Sequence, residues 1–238
     1  MSNAKRPTPK SAQGKQAAGQ PAKWVLPVVV VGVVVLALVV GVVTYFSVSG
    51  SSDDSSGGDA SQKVEVAQVV TISGEALPQL PESGVDPAVG MPAPVASGVD
   101  PQGAPVAVPT KGPAVTAIVA HWCPHCQREV PVIMDLRRNG SWPANVTLGG
   151  ISTGVSPERG NYPPSAWLTS EGWDAPVLVD TSKAQAAKAY GLTGFPFLVW
   201  TDASGKVVLR TSGEIPEAQF ARMLRQLSEG QTPTRNLS

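Results

Sequence analysis

The chain has 238 residues, with 18 Lys and Arg against 18 Asp and Glu and only two cysteines, Cys123 and Cys126. That length fits one good-sized domain with appendages. A balanced charge without a basic stripe gives no field to gather nucleic acid, and two cysteines rule out a disulfide-dense scaffold or a four-cysteine zinc site.

Residues 1–23 hold Lys5, Arg6, Lys10, Lys15 and Lys23 and no carboxylate, in a stretch rich in Pro, Gln and Ala. Without apolar periodicity they are expected to form a disordered tail. From Trp24 to Ser52 no residue is charged. Residues 24–48 are expected to form one transmembrane helix, since about 24 residues at ~1.5 Å each exceed a ~30 Å hydrocarbon layer. A cleaved signal peptide fits less well, because the apolar run exceeds the usual h-region and Ser49-Gly50-Ser51-Ser52 follows it instead of an A-x-A site. The first charges beyond the span are Asp53, Asp54 and Asp59. The positive-inside rule then leaves the tail cytoplasmic and the rest extracytoplasmic, in a single-pass protein of the cell membrane. Residues 49–62, mostly Ser, Gly and Asp, read as a flexible linker, 63–230 as the folded domain and 231–238 as a C-terminal tail.

Within the domain, Val64, Val66, Val69 and Ile72 suggest a strand. The Pro/Gly-rich passage 78–113 is too long for a plain loop and is expected to wrap the core with short extended pieces such as 106–108. The apolar, β-branched run 114–120 reads as a buried strand, after which Cys126, Val130, Ile133 and Met134 recur at helical spacing. Further strands are expected at 146–151, 177–179, 197–201 and 207–210, the last two flanking the turn Asp202-Ala203-Ser204-Gly205. Helices are expected near 165–170, over 182–190 up to Gly191, and over 216–227 with Pro at its start. This alternation predicts an α/β fold, a sheet with helices on both faces.

The chemistry sits in His121-Trp122-Cys123-Pro124-His125-Cys126, where a strand hands over to a helix. A cysteine at a helix N-terminus has its thiolate favoured by the helix dipole and unpaired N–H groups, so Cys123 reads as the attacker and Cys126 as the resolver. Pro124 suits the first helical position. His125 is either an exposed loop residue or, as preferred here, a group that favours the Cys123 thiolate and makes the disulfide more oxidising. A structural staple across two residues would constrain the unfolded chain little. Haem attachment fails because Gln127, not His, follows Cys126. A metal site built from His121, Cys123, His125 and Cys126 stays open as a rival, although those positions converge poorly on one tetrahedron.

The motif Trp122-Cys123-x-x-Cys126-x-x-Glu129-x-Pro131 resembles the thioredoxin superfamily, and within it the membrane-anchored, exported TlpA/ResA-like branch. Gly194-Phe195-Pro196 stands where that superfamily keeps a cis-proline loop facing the disulfide. The resemblance spans about residues 63–229. It implies a thioredoxin-like fold (a central mixed sheet flanked by helices) with an N-terminal extension and an inserted helix and strand at about 165–179. It also implies that Pro196 is cis and that the Phe195 backbone pairs with a substrate segment. Three features depart from the pattern. Pro124-His125 is similar to the dipeptide of DsbA-type oxidases; Ala117 stands where related proteins carry a buried acid, leaving Glu129 or water as proton acceptor; and Phe195 is large for its place. Trp122 is read as an apolar lid or as plain packing. A peroxidatic arrangement is missing, because Thr116 lies too far from Cys123 in the sequence.

The expected function is thiol:disulfide exchange with exported proteins through Cys123 and Cys126, with Trp122, Pro124, Phe195 and Pro196 at the substrate side, His125 as a tuning group, and no metal or organic cofactor. Its redox partner is expected in the membrane: a quinone-linked oxidase for an oxidising role, or a transmembrane electron carrier for a reducing one. The dipeptide leans to oxidation or isomerisation. The alternatives are a reductase of cytochrome c maturation and a copper-binding module on the same fold.

Overall fold

A computed structural model describes residues 63–109 and 112–235. The tail, span and linker expected over 1–62 lie outside the described residues, none of whose helices is long and apolar enough to cross a membrane. In chain order the elements are β1 (Thr71–Ser73), β2 (Val95–Val99), β3 (Pro105–Val108), β4 (Ala114–Val119), α1 (Pro124–Arg138), β5 (Thr147–Ser152), α2 (Pro164–Ser170), β6 (Val177–Val179), α3 (Gln185–Ala189), β7 (Phe197–Thr201), β8 (Val207–Ser212) and α4 (Glu217–Ser228).

All six residues of β4 are buried, as a continuous apolar run requires when both faces of a strand are covered. β4 lies at the centre of a five-stranded sheet of order β6-β5-β4-β7-β8. It pairs parallel with β5, Ala117 opposite Gly150, and antiparallel with β7, Ala117 opposite Leu198. Since β-strand side chains alternate, Val115, Ala117 and Val119 join one core with Val130, Ile133 and Met134 of α1, Trp167 of α2 and Phe220, Met223 and Leu224 of α4. Ile118 joins the other core, with Ile151, Leu178, Phe197, Ala186 of α3 and Val70, Ala96 and Val108 of the N-terminal extension. The thioredoxin-like mixed sheet with helices on both faces is therefore present, and the extension covers the second face as an antiparallel sheet of order β1-β2-β3. In β5 the bare backbone of Gly150 lets the Trp173 ring approach closely: a Cβ there would stand 2.7 Å from it.

Two elements differ from expectation. The strand expected over 64–72 shrinks to Thr71–Ser73, preceded by a single bridge from Ala67 to Thr181. Val66 and Val69 are exposed and Ala67 and Val70 buried, so the valines do not alternate cleanly into one face. The helix expected over 182–190 is only Gln185–Ala189, because Ala184 takes a left-handed φ of 53° and the buried Asp180 carboxylate accepts the N–H groups of Thr181, Ala186 and Ala187. An acidic cap thus delays the start that the Ala/Lys pattern suggests. The hairpin forms as expected, with Asp202 Oδ1 accepting from the Ser204 and Lys206 N–H groups.

Candidate active site

Helix α1 begins where the central strand ends. Cys123 is its N-cap, with extended backbone (φ −78°, ψ 119°), and Pro124 follows in the first turn. The Cys123 carbonyl accepts the first helical bond, from the Gln127 N–H at 3.1 Å, while its side chain makes no capping bond. The sulfur is thus left at the positive end of the helix. Both cysteines are free thiols; Cys123 is 6% exposed and Cys126 0%. Only the Cys123 sulfur can meet a large partner without local unfolding. Burial pushes the Cys126 thiol far above the ordinary thiol range; a backbone hydrogen bond at Ala120 opposes this, and the charges of Cys123 and Glu129 add to it.

Such a thiol needs a base, and Glu129 lies one helical turn on, on the same face of α1. Glu129 is 1% exposed; Oε2 accepts the Ile215 N–H at 3.0 Å, and Oε1 has no hydrogen-bond partner. Burial raises its carboxyl to about 7 against the Ile215 N–H bond; Glu214 pushes the same way and Arg235 opposes. The carboxyl therefore exchanges its proton near neutrality beside the buried thiol. Ala117, where the resemblance implies a buried acid, is fully buried and apolar, and the buried carboxyl of this region stands instead on the helix that carries Cys126. Glu129→Gln is expected to slow resolution of a mixed disulfide at Cys123 by roughly 10²-fold. In the unsubstituted protein the rate should rise as the carboxyl deprotonates through pH 7; the variant should lack that rise in stopped-flow measurements. Stability should respond with the opposite sign. A carboxyl whose folded value lies above its unfolded value costs stability as pH climbs from about 4.5 to about 7, and the variant should be free of that loss.

His125 is 59% exposed on the rim, its Nδ1 2.5 Å from Glu214 Oε1. Arg128 grips the same carboxylate, Nε to Oε2 at 3.0 Å and Nη2 to Oε1 at 2.5 Å. The Arg128 hydrogen bonds, with His125 assisting against slight desolvation, hold the Glu214 carboxyl down at about 2. His121 turns the other way. It is buried, with Nδ1 2.8 Å from the Gly160 carbonyl and Nε2 accepting the Ser156 N–H at 3.2 Å, which fixes the neutral Nδ1–H tautomer. Both ring nitrogens are spent on the loop after β5, so the four donors of the copper alternative are not brought together.

Trp122 is half-buried. Its Nε1 donates to the Gly154 carbonyl at 2.7 Å, the Arg159 guanidinium stands 3.8 Å from its ring centroid, and Phe195 meets it edge-on at 5.9 Å. The Phe195–Pro196 peptide is cis, as the resemblance implies, and the Phe195 carbonyl lies 3.9 Å from Cys123 Sγ. Trp122, Phe195 and Pro196 thus gather around Cys123, while Pro124 and His125 form the exposed rim. Sequence reasoning missed Glu214, Arg159 and Arg235. Each lies on a loop or tail distant in sequence, and no local pattern marks it.

Residues 104–228 match the model of the thioredoxin-like domain family, which covers just over half of the chain. No curated protein matches it in sequence. Among solved structures it is similar to a hypothetical protein of Sinorhizobium meliloti, at 15% identity over 65% of this chain and 90% of that one, with a TM-score of 0.54. An uncharacterized conserved protein of Geobacillus kaustophilus is similar at 18% identity over 72% and 92%, with a TM-score of 0.52. A secreted disulfide oxidoreductase of Mycobacterium tuberculosis follows at 18% identity over 55% and 95%, with a TM-score of 0.48. With this match, this fold and a dithiol at the N-terminus of the helix that follows the central strand, the chain belongs to the thioredoxin-like domain family and is an oxidoreductase of thiols and disulfides.

Proposed function

We propose that the protein exchanges disulfides with exported proteins outside the cytoplasm, held at the cell membrane by one transmembrane helix over 24–48. What carries the exchange reading is the asymmetry of the pair: a reachable Cys123 sulfur at a helix N-terminus and a fully buried Cys126 beside a carboxyl near neutrality. In the oxidising direction, a substrate thiolate attacks the Cys123 sulfur of the oxidised pair. The S–S bond breaks, the electron pair leaves on Cys126, and that thiolate takes a proton, with Glu129 as donor. A second substrate thiolate then attacks the first substrate sulfur in the mixed disulfide, closes the substrate's disulfide and releases the Cys123 thiolate. The substrate loses two electrons, the pair gains them, and a quinone-linked membrane partner removes them again. Run backwards, Cys123 attacks a substrate disulfide, Cys126 resolves the adduct, and Glu129 accepts the proton.

The Pro124-His125 dipeptide favours the oxidising or isomerising direction. A reductase serving cytochrome c maturation is the second reading, supported by the tether and the order of elements. The full chain, purified in detergent, should reactivate scrambled ribonuclease or speed the reduction of insulin. Activity in neither assay sinks the exchange reading. A thiol reagent that cannot cross membranes should label Cys123 in intact cells of the organism. Labelling only after lysis would overturn the extracytoplasmic placement.

A further inference from the structure

The oxidising reading of His125 assumes that the imidazole spends its charge on the Cys123 sulfur, yet its nearest polar group is a carboxylate. Glu214, in the loop between β8 and α4, meets both His125 and Arg128. His125 Nδ1 lies 2.5 Å from Glu214 Oε1 and 2.9 Å from Arg128 Nη2; the shorter contact, to the carboxylate, puts the hydrogen on Nδ1, and Arg128 Nη2 then donates to Glu214 alone. Arg128 is the other cation of this rim, and its guanidinium senses the charge on Cys123. Two of its donors are turned to Glu214 instead.

We propose that Glu214 is a positioning residue that restrains the oxidising strength of the pair by drawing the charges of His125 and Arg128 away from the Cys123 sulfur. Replacing the carboxylate by an amide adds one unit of positive charge to the rim formed by His125, Arg128 and Glu214. The thiolate of the reduced pair gains from each positive charge nearby, whereas the disulfide carries no charge to stabilise. Removing the carboxylate therefore favours the reduced form and raises the potential. The loop that carries Glu214 is itself held: Arg235 donates to the carbonyls of Ser212 and Glu214, and Ile215 N–H binds Glu129. The same short loop thus addresses the partner of each thiol.

The inference rests on the exchange reading. Its test is the equilibrium of the full chain with reduced and oxidised glutathione, for the unsubstituted protein, Glu214→Gln and Glu214→Asp. Glu214→Gln should shift the equilibrium toward the dithiol by roughly threefold to tenfold, tenfold being about 30 mV for this two-electron couple. Glu214→Asp should restore most of the original value, and the difference between Gln and Glu should shrink in 1 M salt, where screening reaches ~3 Å. An unchanged equilibrium, or a shift toward the disulfide, overturns the proposal. If Glu214→Gln does not fold, Arg128→Gln serves instead: loss of a cation should shift the equilibrium toward the disulfide, and any other outcome overturns it. A parent protein with no disulfide exchangeable with glutathione sinks the exchange reading itself, a failure distinct from equal values for parent and variant.

Discussion

Cys126→Ser will turn the protein into a covalent trap: mixed disulfides through Cys123 should accumulate with thiol- or disulfide-bearing proteins and survive for minutes to hours, against rapid turnover in the parent. The reason is positional. Cys126 is fully enclosed and lies one helical turn behind the reachable sulfur, so no external thiol can take its place as resolver without opening the site. Uncatalysed disulfide rearrangement then sets the lifetime. Cys123→Ser should do the reverse, forming no adduct and losing all measurable exchange, because the remaining thiol is buried and holds its proton. The adducts are read on non-reducing gels after acid quenching and identified by mass spectrometry. Adducts formed equally by Cys123→Ser would mean that the order of the two thiols is reversed.

Asp86→Ala will lower the stability of the domain by about 3–5 kcal/mol, the range found when one partner of a buried ion pair is removed. The side chain of Arg210 is 0% exposed and that of Asp86 13%. Arg210 Nε and Nη2 donate to the two carboxylate oxygens at 2.9 and 2.5 Å, and Nη1 donates to the carbonyls of Pro78 and Tyr190. Although burial alone would raise it, the Asp86 carboxyl lies below its ordinary value through the Arg210 bonds and the Ala88 N–H. Its contribution is therefore present above about pH 4 and lost as the pH falls further. Alanine strips the guanidinium of its counter-charge and leaves it in the dry interface between the extension and β8. Chemical denaturation at pH 7 should show the loss, with a melting temperature lower by roughly 10 °C. A double replacement, Asp86→Leu with Arg210→Met, should recover much of it, since two apolar groups leave no orphan charge. A single variant as stable as the parent would show that the pair is open to solvent.

Much of the central sheet was legible because its strands are apolar runs broken by no more than one threonine: 114–120, 177–179 and 197–201 admit few other structures, and the Asp202 turn announces its hairpin. The redox pair was legible for a different reason, since two cysteines at that spacing at a strand-to-helix junction have few alternatives. What escaped was set by tertiary contacts. The N-terminal valines do not alternate into one face, so the length of β1 depends on where β2 lies, and β2 itself, Val-Ala-Ser-Gly-Val, has only weak strand character. The start of α3 is decided by Asp180, five residues upstream. Around the cysteines, Glu129 is named through the family motif, as one of two candidate proton acceptors beside water; its burial and its bond to Ile215 come from the fold. Glu214 and Arg159 come from loops 86 and 37 positions away from their partners Arg128 and Trp122, and nothing local in the sequence links them.

The N-terminal extension does more than cover one face of the sheet. Ala67 bridges to Thr181 just beyond β6, with its N–H on the Asp180 carbonyl. At the opposite side, Gly90, Met91 and Ala93 exchange backbone hydrogen bonds with Val207 and Gly205 at the start of β8. Residues 67–93 therefore give backbone partners to one end of each open margin of the five-stranded sheet. Bare margins of this kind are templates for sticking to other chains. The segment that defines the family begins only at residue 104. Cut there, the protein would keep its dithiol and its central strands but lose the backbone partners that Ala67 and residues 90–93 give to the two margins, so the folded unit reaches some forty residues further back.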